Sequence, residues 1–190
     1  MTRSDVDRAA VEERVRAAAQ GSQDAFDALV EQFSGLVWSV LRAHRLADAD
    51  AQDAFQTTWL RLVEHLDRIR EPRALGGWLA TTARHESLRL LQQADRNRSA
   101  PDDELDAIED DSDGVEVAVL DAERDAELWA ALDELEERCR ALLRVLMADP
   151  PPTYDEVSAA LDIPVGSIGP TRGRCLARLR QHLRTRGISA

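Results

Sequence analysis

Apolar residues return every third or fourth position along most of this chain, the spacing of one buried stripe on a helix. From Asp50 onward, Ala51, Phe55, Trp59, Leu62 and Leu66 follow that rule and predict one long helix. Leu128, Leu132, Leu135, Cys139, Leu142 and Leu146 predict a second, which Pro150, Pro151 and Pro152 must end. Nearer the start, an Ala-rich stretch from Ala9 to Ala19 reads as a helix stopped by Gly21. Ser22 then caps a helix over 23–32, Gly35 marks a joint, and Leu36 to Arg45 carries a further apolar run. Asp67 to Gly77, with Pro72 and the pair Gly76-Gly77, reads as a loop before a helix from Trp78 to about Ala94. Four or five packed helices therefore make up the N-terminal part.

The stretch from Ser99 to Asp113 is acidic, contains Pro101 and has too few apolar residues to bury against anything, so it predicts a flexible linker. Helical spacing returns near Ala126. Thr153-Tyr154-Asp155-Glu156 has the form of a capping box, in which the Thr oxygen and the Glu carboxylate satisfy free amides at a helix start. That helix runs to about Leu161, a tight turn spans Asp162 to Gly166, and a last helix carries Ile168, Cys175, Leu176, Leu179 and Leu183 on one face. Pro170 suits the last helix if Ser167 caps it and Pro170 sits in its first turn. Two short helices joined by such a turn have the layout of a helix-turn-helix. The expected division is an N-terminal helix over 1–21, a helical bundle over 22–98, an acidic linker over 99–125 and a helix-turn-helix unit over 126–186.

Composition supports an all-α chain, because Ala, Leu, Arg, Asp and Glu dominate while aromatic residues make up only 4%. The net charge of −12 argues against nucleic acid until it is divided along the chain. Residues 1–100 are nearly neutral at −1, residues 101–137 carry −16 and residues 138–190 carry +5. From Val165 to the end there are six arginines and no acid, a local field that attracts phosphate. Every one of the 24 basic residues is arginine. Cys139 and Cys175 lack the paired spacing and the neighbouring His of a metal set, and are expected to be reduced core residues. No signal-peptide core and no run of 18 apolar residues is present, which implies a soluble cytoplasmic protein without membrane insertion.

At about 100° per residue, the last helix places Pro170, Thr171, Gly173, Arg174, Ala177, Arg178 and Gln181 opposite its apolar stripe. Small residues around Arg174 let the backbone approach a major groove, where arginine can reach guanine edges or phosphates. An enzyme is not indicated: the four histidines are scattered, Arg84-His85-Glu86 lacks the second His of a zinc-protease helix, and no phosphate-cradling Gly loop occurs. No metal or cofactor is expected.

Thr153-Tyr154-Asp155-Glu156-Val157, Leu161-Asp162-Ile163-Pro164-Val165-Gly166-Ser167-Ile168, Arg174 and Arg178-Leu179 together resemble the DNA-binding region 4 of bacterial sigma factors of the extracytoplasmic-function type. Gln23-Asp24-Ala25-Phe26 with Leu29, and Asp50-Ala51-Gln52-Asp53 with Gln56, Leu60, Arg61 and Leu62, resemble regions 2.1 and 2.2 of that family. Trp78-Leu79 and Ala83-Arg84 resemble regions 2.3 and 2.4. The resemblance implies a dissociable specificity subunit of RNA polymerase. Asp53, Gln56, Leu60 and Arg61 would dock on core polymerase. The Asp67 to Gly77 loop would hold a flipped promoter base near position minus ten, with Arg73, Arg84, His85 and Arg89 on the DNA. Ser167, Pro170, Thr171, Gly173, Arg174 and Arg178 would line the recognition helix. Trp78 could be core or a stacking platform, and the acidic linker could thread the polymerase cleft or act as a solvated spacer.

The chain departs from the family pattern at Gly169-Pro170-Thr171, at His85 and at Thr57, which bears on the promoter sequence it reads. Members are commonly held by an anti-sigma factor, for which the exposed Leu60 and Val63 face would be available. A helix-turn-helix regulator, or an adaptor that binds polymerase without sigma activity, would share the C-terminal unit.

Overall fold

The apolar runs on either side of Gly35 form one uninterrupted helix rather than two. In the computed structural model, which describes residues 3–98 and 128–186, all regular structure is helical. Helix α1 spans Arg3–Ala19, α2 Gln23–Ala43, α3 Asp48–His65 and α4 Leu75–Arg98. After them come a helical segment over residues 128–133 (α5), α6 Glu137–Leu146, α7 Tyr154–Leu161 and α8 Val165–Thr185. The acidic linker expected over 99–125 lies outside the described residues.

Local chemistry sets the boundaries. Gly21 adopts φ +92°, a conformation that suits a residue without Cβ, and ends α1. Ser22 then caps α2, its hydroxyl accepting from the Ala25 amide at 3.3 Å. Leu29, Phe33, Leu36, Val37, Val40 and Leu41 make α2 the buried axis, packed by α1, α3, α4 and α6. Phe26, Phe55 and Trp59 meet edge to face, and Trp38 stacks on Phe55 with centroids 4.7 Å apart, joining α3 to α2.

The loop expected over Asp67 to Gly77 is partly helical. Short 3-10 turns occupy Leu66–Arg68 and Pro72–Ala74, and α4 begins at Leu75, so Gly76 and Gly77 lie inside its first turn. The stripe from Leu128 to Leu146 is broken at residues 134–136, which sequence periodicity did not foresee. The acids there serve α8 instead of a continuous helix. Glu134 lies 2.5 Å from Arg186 and 3.0 Å from His182, and Glu136 lies 2.7 Å from Arg178. The hydrogen bond from Arg186, and after it that from His182, hold the Glu134 carboxyl below the ordinary range.

The two described stretches share a single hydrophobic core that runs from Val11 and Val15 on α1 to Ile168 and Cys175 on α8. Closest approach depends on glycine. A Cβ at Gly35 would collide with the carbonyl oxygen of Asp149, and one at Gly76 with the Glu156 carboxylate. A Cβ at Gly77 would stand 4.0 Å from that of Ala159. Arg84 on α4 reaches Asp162 at 2.9 Å, and half-buried His44 packs beside it. Burial first and Arg84 second lower the His44 pKa, opposed by the Ala160 backbone and Glu137.

Cys139 and Cys175, expected as free thiols, form a disulfide between α6 and α8 with Cα atoms 5.2 Å apart. Periodicity put each on the inner face of its helix; that the two faces meet is a tertiary fact that spacing along the chain does not carry. Both cysteines are buried.

Three outcomes are expected. Closing a separation of 36 residues constrains the unfolded chain by about 4 kcal/mol in the chain-entropy treatment. Reductant, or Cys175→Ala, should therefore lower the melting temperature of the C-terminal helices, and a transition indifferent to reductant would show that the thiols do not pair. Gly35→Ala should favour α2 by about 1 kcal/mol, yet crowding a backbone carbonyl costs about 1–3 kcal/mol, so net loss of stability or a larger scattering radius is expected. A more stable variant of unchanged radius would refute the close approach. Because the folded His44 pKa lies below 6.5, folding favours the neutral ring, and its contribution is complete above pH 6.5 and declines as pH falls below it. His44→Gln should flatten that part of the melting-temperature profile; an identical profile would exclude His44 as its source.

Candidate nucleic-acid interface

The capping box forms as the sequence predicts. The Glu156 amide donates to Thr153 Oγ1 at 3.3 Å and the Thr153 amide to Glu156 Oε2 at 2.6 Å, starting α7. Asp162 ends it in the left-handed region at φ 55°, a conformation that Asp tolerates better than most residues. Ser158 donates its hydroxyl to the Ile163 carbonyl at 2.7 Å and fixes the turn. Pro164 caps α8 in place of Ser167, whose hydroxyl instead donates to the Pro164 carbonyl at 2.7 Å. The helix thus begins earlier than expected and Pro170 lies in its interior, beyond the first turn.

Inward, α8 buries Ile168, Cys175 and Leu183. Outward it presents Gly169, Pro170, Gly173, Arg174, Ala177 and Arg178, and added Cβ atoms at Gly169 and Gly173 would meet open space. Thr171 was expected on this face and is buried instead, 6% exposed; an inward hydroxyl cannot meet DNA, and it accepts from Arg174 Nη2 at 3.2 Å. Thr171 acts on Arg174 from beneath. Arg178 is held by Glu136 beside the start of α6. Arg172 and Arg180 are also exposed and belong to the same basic helix, although the angular projection passed over them.

In the N-terminal stretch, Ala51, Ala54, Thr58, Trp59 and Leu62 face the core, which leaves Asp53, Gln56, Leu60 and Val63 in a row on the solvent side of α3. Leu60 is 59% and Val63 52% exposed, so apolar surface lies open beside an acid and an amide. Arg61, expected in the same set, turns toward α4 and pairs with Glu86 at 2.7 Å.

A cavity of about 340 Å³ opens where α3 gives way to α4, lined by His65, Arg68, Ile69, Arg70, Leu75 and Trp78 among others. Trp78 is half-buried, with its ring 6.1 Å from that of His65, and so serves both the packing and the cavity wall. Arg73 faces away from this cavity and binds Glu12 on α1 at 3.0 Å. Of the residues expected on DNA from α4, His85 is exposed, Arg84 is committed to Asp162, and Arg89 lies 2.8 Å from Glu86.

Glu86 and Asp162, the ion-pair partners of these arginines, are the neighbours that sequence reading missed. For Glu86 a signal existed: Leu79, Ala83, Glu86 and Leu90 share one inward stripe, so an acid stands where periodicity demands an apolar residue. Among the described residues no cluster of His, Cys, Asp and Glu could hold a metal ion, and no helix is long and apolar enough to cross a membrane.

Residues 29–97 match the family model of sigma-70 region 2. No curated protein matches the chain significantly. Among solved structures, CnrH in complex with the cytosolic domain of CnrY is similar with TM-score 0.61 and 21% identity, over 93% of this chain and 98% of that one. The sigma factor RpoE from Bartonella quintana, in complex with the anti-sigma factor NepR, is similar with TM-score 0.56 and 18% identity, over 83% and 97% respectively. At such identities these likenesses speak for the fold alone, and the family match speaks for residues 29–97, which are similar to sigma-70 region 2.

Proposed function

We propose that this chain is a sigma factor of the extracytoplasmic-function type, which binds core RNA polymerase and directs promoter-specific initiation. The observation that carries the reading is the union, in one chain, of a sigma-70 region 2 with a helix-turn-helix whose second helix bears arginines and no acid. A repressor needs only the latter. In this reading residues 22–98 act as region 2, residues 126–186 as region 4, and residues 99–125 link them.

Each surface takes one task. The row Asp53, Gln56 and Leu60, with Arg61 beside it, docks on polymerase. The cavity around Trp78 is suited to a base taken out of the stack, because it joins an apolar wall to a rim where Arg68 and Arg70 outnumber the one acid, Glu71. Arg84, His85 and Arg89 hold the DNA backbone nearby, and Arg73 does so only if it leaves Glu12. Ser167, Pro170, Gly173, Arg174 and Arg178 face duplex DNA from α8, with Thr171 buttressing Arg174. None of this calls for catalysis by the chain, and the site of action is the cytoplasm. Since Arg84 is tied to Asp162, duplex contact by Arg84 requires α7 to leave α4. An anti-sigma factor, as NepR is for RpoE in that complex, would find apolar surface at Leu60 and Val63.

Purified chain should retain core RNA polymerase in a pull-down and yield discrete starts with a shared upstream motif in run-off transcription of a genomic library. Duplex binding without polymerase would overturn the reading in favour of a regulator, and polymerase binding without discrete starts in favour of an adaptor. Arg174→Ala should weaken promoter binding by about 1–3 kcal/mol if it reads a base, and by a similar factor on every sequence if it holds a phosphate.

A further inference from the structure

Glu86 sits on α4 at 3% exposure, where a lone carboxylate would be strongly disfavoured. Two arginines resolve the difficulty. Arg61 on α3 brings its Nε within 2.7 Å of Oε1, and Arg89, one turn further along α4, brings its Nε within 2.8 Å of Oε2. The Glu86 side chain is 4% exposed, against 46% for Arg61 and 50% for Arg89. Each guanidinium is thus gripped at its inner nitrogen while half of the side chain remains open to solvent. An arginine held at Nε keeps its terminal Nη groups for a carboxylate or phosphate outside, with less rotamer freedom to lose on binding.

We propose that Glu86 is a positioning residue for both macromolecular contacts of this region: through one buried carboxylate it aims Arg61 at core RNA polymerase and Arg89 at the promoter backbone. The inference rests on the function proposed above, which assigns those two arginines to those two partners. It adds that their placement has a common origin in a residue that touches neither partner. Lysine could not replace either one, because an ammonium cannot be held from within and still present a planar fork.

The test is a set of double-mutant cycles on the full chain, reading affinity for core polymerase and affinity of the holoenzyme for a promoter identified by run-off transcription. Glu86→Gln keeps the shape and removes the charge, and it should weaken both affinities by about threefold to tenfold. The polymerase loss should vanish in an Arg61→Ala background and the promoter loss in an Arg89→Ala background. Arg89→Ala, which removes a phosphate contact outright, should also reduce the slope of log affinity against log salt for promoter DNA by about one. Losses that persist undiminished in the arginine-free backgrounds would overturn the proposal in favour of a purely structural role. If Arg61→Ala and Arg89→Ala each weaken their own partner while Glu86→Gln weakens neither, the positioning role alone falls. If the arginine variants change nothing, the assignment of both arginines falls and the positioning role with it. Should Glu86→Gln fail to fold, Glu86→Asp retains the charge but draws it back from both Nε atoms, and the same cycles apply.

Discussion

Everything in this molecule hangs on how closely two helical stretches can approach. Gly35 lets the backbone at Asp149 come against the middle of α2, and Gly76 lets the Glu156 carboxylate come against the first turn of α4. Without side chains at these two points, the apolar faces of α2, α4, α6 and α7 merge into one core instead of two. The Arg84 to Asp162 pair and the His44 packing follow from that approach rather than cause it, since an ion pair with an exposed acid contributes little compared with a continuous buried face.

Closure has a functional side. Under the proposed function, the surface of α4 that meets α7 is also the one from which Arg84 would reach DNA, so the packed and engaged arrangements would compete for the same residue. Glu156 shows the economy of the arrangement. One carboxylate oxygen completes the cap that starts α7, while the other lies against Gly76 on α4. The nucleation of a helix and the docking of that helix thus depend on a single side chain.

Much of the fold was legible in the chain. The stripe through Ala51, Phe55, Trp59 and Leu62, the Ser22 cap and the Thr153 to Glu156 box are local rules, and local rules survive folding. What was illegible was tertiary. Gly35 and Gly76 looked like breaks because glycine usually is one, and only the neighbours across the core explain why they sit inside helices. The stripe from Leu128 ran on in the periodicity, yet its acids turn aside to meet arginines on α8. Of the site, the exposed face of α8 could be projected from helical angles, apart from Thr171, Arg172 and Arg180, and the α3 row came from the family resemblance. The ion-pair commitments of Arg61, Arg73, Arg84 and Arg89 could not, because each partner lies on another element or, for Arg89, at a buried acid on the inward face of its own helix.

The bridge between Cys139 and Cys175 encloses a covalent ring that contains all of α7 and the turn after it. Tension applied along the polypeptide passes from α6 to α8 through the sulfur atoms and leaves the enclosed segment slack. A machine that pulled on either end of the oxidised chain could strip away the outer helices, but it would have no grip on the capped helix whose seat lies against Gly76.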